Sequence, residues 1–303
     1  MSLVSVILPV YNGEKYIVEA VNSILNQDFR DFELILIDDG CTDSTPEILN
    51  NFNDSRIRRF SFEKNRGLVT ALNFGLEKAQ FAYIARMDAD DIAAPERLGK
   101  QVNFLKSNPE YVLCGMAVQT FPEGKTKIPP FSNSEILAAL CFSNVFYHGT
   151  VMFRSTLVKD FGLKYDENYW KCEDYNFWVE ASQKGKLVNL PEIGLKYRIH
   201  QDQVTQNSDN DLKNRVSNIR VNHLSYFGVE LKQEEWEIFN RFCSKEIILK
   251  NEFRSLSKTI EKISNLLPHS LQNEFNLNYL QFLYSFLITQ SSDFFASIEY
   301  LRQ

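Results

Sequence analysis

Phe81-Ala82-Tyr83-Ile84-Ala85-Arg86-Met87-Asp88-Ala89-Asp90-Asp91-Ile92 decides the fold of this chain: an apolar run ends abruptly in three carboxylates. Residues Phe81 to Ala85 read as a buried strand, which puts Asp88, Asp90 and Asp91 at its C-terminal end. In an open parallel sheet that edge is where ligands bind. Carboxylates at i and i+2 of an extended chain lie on one side, roughly 6–7 Å apart. At an effective dielectric of 20 they repel by about 2–3 kcal/mol. Water screens that repulsion, and a bridging hard cation turns it into attraction. Oxygen-only ligation selects Mg2+ or Mn2+, commonly shared with a phosphate. The other reading is a solvated acidic turn before a helix capped by Asp90 or Asp91, with Pro95 in its first turn. The stretch alone leaves both open.

Working outward, the first half of the chain alternates strand and helix patterns. Val4–Val10 reads as a first buried strand, and Glu14–Asn26 as an amphipathic helix with Ile17, Ala20, Val21, Ile24 and Leu25 on one face. A second strand from Phe32 ends at Asp38-Asp39-Gly40, and a helix over Thr42–Asn51 opens with Asp43, Ser44 and Pro46. Ile57–Phe62, Leu68–Ala79, Pro95–Ser107 and Val112–Val118 continue the series as strand, helix, helix and strand, with the quoted strand between the two helices. The expected fold class is α/β, a mostly parallel central sheet flanked by helices. From Phe121 to His200 the pattern is mixed. Past Gln201 it turns helical, with Asp211–Tyr226 and Glu234–Glu252 as long helices of a C-terminal extension. The polar run Gln206–Asp211 sets a boundary, giving domains 1–205 and 206–303.

Composition excludes several classes. A net charge of −6 over 303 residues leaves no basic field for nucleic acid. The five cysteines contain no CxxC pair and the four histidines no HExxH, so neither a zinc knuckle nor a disulfide framework is expected, and a reducing cytoplasm fits better. Ser2–Val10 lacks the basic flank and cleavage site of a signal peptide. No window approaches the 18 or so apolar residues of a membrane span. A cytoplasmic protein, soluble or peripheral at the inner face of the membrane, is expected.

Two acidic strand ends on one edge, Asp38-Asp39 and Asp88–Asp91, outline a pocket for a polar ligand such as a nucleoside with a metal-bound diphosphate. Each alone is equally well a solvated loop. Pro9 ends the first strand's ladder, and Tyr11 offers a flat face for a base, or ordinary packing. Arg66 in the loop Asn65-Arg66-Gly67 suits an anion or a nucleobase, and Ala71 and Gly75 let their helix approach the sheet closely. Glu173-Asp174 opens a helix, where the macrodipole stabilises a carboxylate yet weakens it as a base. His200 closes Tyr197-Arg198-Ile199-His200, where a lone histidine is more often structural than a ligand.

Together these residues resemble the family 2 glycosyltransferases of the GT-A fold, inverting nucleotide-sugar transferases, here of the bacterial non-processive type. The matching pieces are residues 5–14 (SVILPVYNGE), 36–45 (LIDDGCTDST), 65–67 (NRG) with Ala71, Asn73 and Gly75, 87–91 (MDADD) with 95–98 (PERL), Glu173-Asp174, and 197–200 (YRIH). They fall in family order over residues 3 to 205, and the C-terminal hundred residues carry no match. The resemblance implies that Pro9, Tyr11, Asp38 and Arg66 line the nucleoside pocket, with Asp38 or Asp39 bonding the base. It implies that Asp88 lies toward the ribose and that Asp90 ligates Mn2+ or Mg2+. Asp174 takes the place of the catalytic base, and His200 a place that reaches metal or diphosphate in some relatives. Asp91 is left as a structural cap. Cys41 stands where the family usually has serine. The Gln-x-x-Arg-Trp signature of processive relatives is missing, which implies single-sugar transfer rather than polymer synthesis.

The implied reaction is attack by an acceptor hydroxyl on the anomeric carbon, from a UDP-sugar foremost, onto a glycan or lipid-linked acceptor. Three rivals remain. A sugar-phosphate nucleotidyltransferase needs a Gly-rich basic loop after the first strand, where this chain has Pro9-Val10-Tyr11-Asn12-Gly13. A haloacid-dehalogenase-type phosphatase carries its Asp-x-Asp on the first strand, not the fourth. A non-catalytic nucleotide-sugar-binding protein would not need both Asp90 and Asp174. The tail could pack on the catalytic domain, form a homodimer or lie on a membrane. Leu277–Leu301 has no Lys or Arg, which favours packing or dimerisation.

Overall fold

The computed structural model describes residues 3–200 and 210–290. The strands are β1 (Val4–Val10), β2 (Phe32–Asp38), β3 (Ile57–Ser61), β4 (Tyr83–Arg86), β5 (Ile92–Ala93), β6 (Tyr111–Phe121), β7 (Thr126–Lys127), β8 (Met152–Arg154) and β9 (Lys186–Arg198). The helices are α1 (Ile17–Leu25), α2 (Thr45–Asn50), α3 (Leu68–Lys78), α4 (Arg97–Ser107), α5 (Asn133–Ala139), α6 (Thr156–Lys159) and α7 (Glu173–Ser182), then α8 (Asn210–Tyr226), α9 (Gln233–Cys243), α10 (Phe253–Leu266) and α11 (His269–Gln290).

One sheet runs β3-β2-β1-β4-β8-β6-β9-β5, with β7 beside β6. The four strands β3, β2, β1 and β4 are parallel. Beyond them β8 runs antiparallel to both neighbours, while β6 and β9 are parallel to each other. The α/β class holds. Every residue of β1 and β2 is buried, as strands covered on both faces require. The chain steps outward from β1 to β2 and β3, then returns to place β4 on β1's other side. That reversal opens a crevice at the C-terminal ends of β1 and β4, and both acidic stretches lie on this edge.

Small residues fix the layer spacing. A Cβ on Gly75 of α3 would come within 2.4 Å of Ile7 on β1, so the close approach read from Ala71 and Gly75 is real. Gly40 has φ +68°, and a Cβ there would meet the backbone of Lys64 at 2.2 Å, so only glycine serves.

Several boundaries differ from the sequence reading, for local reasons. The quoted strand starts at Tyr83, because the Phe81 N–H turns to Ser5 Oγ (3.2 Å). Helix α4 starts at Arg97 after the short strand β5, so neither Asp90 nor Asp91 caps it. Helix α1 starts at Ile17, since Glu14 ties its N–H to Asp43 (3.1 Å) and its carboxylate to the Ser44 N–H (2.9 Å). The long helix expected over Glu234–Glu252 breaks after Cys243. Lys245 adopts φ +57°, and Arg241 pairs with Glu252 (2.7 Å) across the break.

The chain divides into two compact units, Met1–Asn133 with Val145–Ser208, and Ser134–Asn144 with Asp209–Gln303. Residues 134–144, read from sequence with the first domain, thus group with the helices. In that unit Phe142 stacks on Phe282 and packs tilted against Phe275, Arg220 donates to Phe142 O (2.9 Å), and His223 bonds Leu137 O (2.8 Å). Most of the polar run from Gln206, and the tail from residue 291, lie outside the described residues. No helix among the described residues is long and apolar enough to cross a membrane.

Candidate active site

At the first acidic end, two loops lock together. Asn12, in the left-handed region at φ +52°, accepts the Thr42 N–H on its Oδ1 (2.8 Å) and donates its own N–H to Cys41 Sγ (3.2 Å). The Gly13 N–H reaches Thr45 Oγ1 (2.9 Å). This fixes the exit of β1, with Pro9 buried in the strand and Tyr11 50% exposed just beyond it. Asp38 is buried and accepts the Cys41 N–H (2.8 Å). Asp39 spends its carboxylate on the next loop, accepting from Arg66 N (2.8 Å), Gly67 N (3.0 Å) and Asn65 Nδ2 (3.1 Å). Burial raises its pKa, and the Arg66 and Gly67 N–H bonds oppose the rise. Asp39 therefore places Arg66, whose exposed guanidinium lies 4.7 Å from the centre of the Phe62 ring.

At the second acidic end the chain turns at Ala89-Asp90 instead of running extended, so the three carboxylates part company. Asp88 pairs with the buried guanidinium of Arg86. Asp90 Oδ2 lies 2.9 Å from His200 Nε2. Asp91, 1% exposed, accepts the Arg198 N–H (2.8 Å), while Arg198 Nε donates to the Asp90 carbonyl (2.8 Å). The other Asp91 oxygen is buried without a partner, and burial beside Asp90 pushes its pKa up. Gly149 faces this turn: a Cβ there would come within 2.7 Å of Asp88 Oδ2 and 3.3 Å of Asp91 Oδ2.

Asp174 sits in the first turn of α7, part-exposed, its Oδ1 accepting the Tyr175 N–H (2.7 Å). Its neighbour Glu173 is 5% exposed, and burial together with the Asp174 charge pushes its pKa up. Arg86 links the second acidic end to the start of α7. Burial lowers its pKa, and Tyr165, Asp90, Asp91 and Glu173 all lie close enough to bear on its charge. Around it, Asn73 clamps Tyr165 through both backbone groups (2.8 and 2.9 Å), and the Tyr165 hydroxyl lies 3.0 Å from His148 Nε2. Burial keeps His148 neutral, well below its usual pKa. Arg97, fully buried, donates to the Arg86 carbonyl (2.7 Å).

Sequence reasoning gave no role to Arg86, Arg97, His148 or Glu173. Arg86 stood in the decisive stretch as a cation interrupting an apolar run, a signal that was there to be used. His148 had none.

Among the described residues no three His, Cys, Asp or Glu side chains gather as a metal cage. The adjacent donors are Asp90 and His200. One or two protein ligands, with the rest from a substrate diphosphate and water, is how Mg2+-like ions are usually held, and a carboxylate–imidazole pair also suits Mn2+. The donor set fits such an ion.

The model of glycosyl transferase family 2 matches residues 5–160. The amylovoran biosynthesis glycosyltransferase AmsE of Erwinia amylovora is 35% identical over 226 residues, covering 72% of this chain and 84% of the relative. Among solved structures, S. aureus TarS 1-349 in complex with UDP-GlcNAc superimposes with a TM-score of 0.66 at 20% identity, covering 96% of this chain and 93% of that one. The mannosyltransferase PcManGT of Pyrobaculum calidifontis, in complex with GDP-Man and Mn2+, gives 0.57 at 15% identity, covering 93% and 87%. Both are similar in fold.

Proposed function

The chain belongs to glycosyl transferase family 2, and from that premise we propose that it transfers a single sugar, with inversion, from a UDP-sugar to a glycan or lipid-linked acceptor in cell-surface polysaccharide synthesis. One observation carries the reading: the buried Arg86 pairs with Asp88 and lies in the field of Asp90, Asp91 and Glu173. A donor-binding strand end and a helix-borne carboxylate pair therefore share one electrostatic centre.

In this reading Pro9, Tyr11, Asp38 and Arg66 receive the nucleoside, with Asp39 holding the Arg66 loop. Asp88, fixed by Arg86, meets the ribose. Asp90 and His200 hold Mn2+ or Mg2+, which when bound neutralises charge growing on the departing diphosphate. Asp174 accepts the proton of the acceptor hydroxyl as its oxygen forms the new bond to the anomeric carbon and the bond to the diphosphate breaks. The helix macrodipole lowers the basicity of Asp174. Glu173 opposes that effect when ionised, and when protonated it leaves Asp174 as the charged member of the pair.

The free cysteines suit a reducing cytoplasm. For the helical unit we favour packing or self-association, since Leu277, Leu280 and Tyr284 form an exposed stripe on α11. Incubation of the purified chain with Mn2+ and a panel of nucleotide-sugars, without acceptor, tests the reading. Slow release of nucleoside diphosphate is expected from at least one donor. Binding of a donor without turnover, with or without acceptors, would instead mark a nucleotide-sugar-binding protein.

A further inference from the structure

The turn that delivers Asp174 also displays a tryptophan. Trp170 is 46% exposed, whereas Trp178 in the following helix is completely buried. Indole is among the largest apolar groups a chain can bury, so leaving half of it in water forgoes a substantial stabilisation. Mobility does not account for the exposure, because the segment is anchored at successive points. Asn73 holds Tyr165 on both sides, and Asp166 accepts the Asn168 N–H (2.9 Å). Thr70 donates to Glu167 (3.2 Å), and the Cys172 N–H closes on Tyr169 O (2.8 Å).

The backbone is strained at the same place. Lys171 adopts φ +70°, in the left-handed region that a lysine rarely occupies. Its backbone N–H is among the groups that hold the Glu173 carboxyl, so one turn fixes the indole and the carboxylate pair relative to each other. The Lys171 ammonium lies 4.6 Å from the centre of the Trp170 ring. A surface cation–π pair of this kind is weak, about comparable with the strain at Lys171, so the pair gives the fold no net reason to keep the indole exposed.

We propose that Trp170 is the stacking platform of the acceptor subsite and that the acceptor's reacting unit is a pyranose ring. The C–H face of a pyranose is apolar and flat enough to lie on indole, while its edge carries hydroxyls. A ring seated four residues ahead of Asp174, on a rigid turn, would present a hydroxyl to that carboxylate at little entropic cost. This inference rests on the transferase reading above and names its acceptor class.

The test uses the intact chain with Mn2+, a nucleotide-sugar donor that it hydrolyses, and methyl glucoside, galactoside, mannoside and N-acetylglucosaminide as surrogate acceptors. At least one pyranoside should accelerate diphosphate release. Trp170→Ala should raise its half-saturating concentration about tenfold or more, and Trp170→Phe by less than about threefold, as expected for loss and retention of a stacking face. The donor KM should stay within about twofold in both, since the loss is confined to acceptor binding. An unchanged half-saturation in Trp170→Ala overturns the proposal. So does a parallel rise in donor KM, which would mean that the turn has collapsed, and so does the absence of acceleration by every pyranoside. If no donor is hydrolysed at all, the transferase reading fails on its own. Quenching of tryptophan fluorescence by the same pyranosides, present in the wild type and lost in Trp170→Phe, then still decides for the platform, and its absence decides against.

Discussion

The two acidic strand ends look alike in sequence and differ in what faces them. Asp39 is answered by backbone N–H groups and an amide from a loop 26 to 28 positions later, and becomes a clamp. At the second end only Asp91 resembles it, accepting the Arg198 N–H 107 positions later, whereas the Asp90 carboxylate meets His200, 110 positions later, and Asp88 the buried Arg86. A carboxylate satisfied by backbone donors is finished when the chain folds. A carboxylate held against a histidine or a guanidinium keeps a partner that a metal cation can replace. An acidic strand end is therefore read by its partners and not by its own charge.

The largest expected effect separates the two ends outright. Asp90→Asn, and likewise Asp174→Asn, should lower turnover by on the order of a thousandfold, the scale of lost metal ligation or general-base catalysis. Both residues are part-exposed, so melting should move by no more than about 2 °C. Near-wild-type turnover in either purified variant would end the assignment. Asp39→Ala should do the reverse in stability. It strands two backbone N–H groups and the Asn65 amide around a site that is 3% exposed, at a cost of about 3 kcal/mol, or roughly 6–10 °C in Tm. If Asp39→Ala melts like the wild type while Asp90→Asn melts early, the contrast is drawn the wrong way round.

The same contrast shows what could be read in advance. Strands covered on both faces need unbroken apolar runs, so β1, β2 and β4 announced themselves, and acidic residues at their ends marked the edge. Gly75 also stood out, because a small residue between Phe74 and Leu76 on a helix signals close approach to the sheet. The fate of Asp91 did not. The choice between helix cap and buried acceptor depends on β5, where Ile92 and Ala93 pair with Lys196 and Leu195. No local pattern predicts a two-residue strand formed with a partner a hundred positions away. The break after Cys243 was hidden for a related reason: helix periodicity persists past it, and only the conformation of Lys245 reveals the turn.

Glu173 lies between the two kinds of carboxylate, buried like Asp39 yet left with one oxygen that has no partner. Its pKa rises from 4.5 to about 7 on folding. The folded chain therefore keeps a proton that the unfolded chain has released between those values, and stability falls as pH rises through that window. Glu173→Gln cannot ionise, so it should melt higher than the wild type at pH 8, by about 2–5 °C. The difference should vanish near pH 4, where both carry a neutral group. An equal difference at both pH values would mean that the gain comes from packing and that Glu173 is not a buried acid.

The smallest effect belongs to Cys41, which stands where the family usually has serine. Its sulfur accepts the Asn12 N–H at 3.2 Å and contacts the Val10 carbonyl at 3.5 Å, both weak bonds that a hydroxyl can make. The loop pair survives without them, because Asn12 to Thr42, Gly13 to Thr45 and Glu14 to Ser44 remain. Cys41→Ser should change stability by less than about 1 kcal/mol. The thiol itself should be inert, since burial first and the Asp38 carboxylate second push its pKa up to about 12. Alkylation by iodoacetamide at pH 8 should be slow in the folded chain and fast once it is unfolded. Rapid modification of the native protein would show that the Asp38-Asp39 end opens in solution, and the clamp would then be no more settled than the site it was contrasted with.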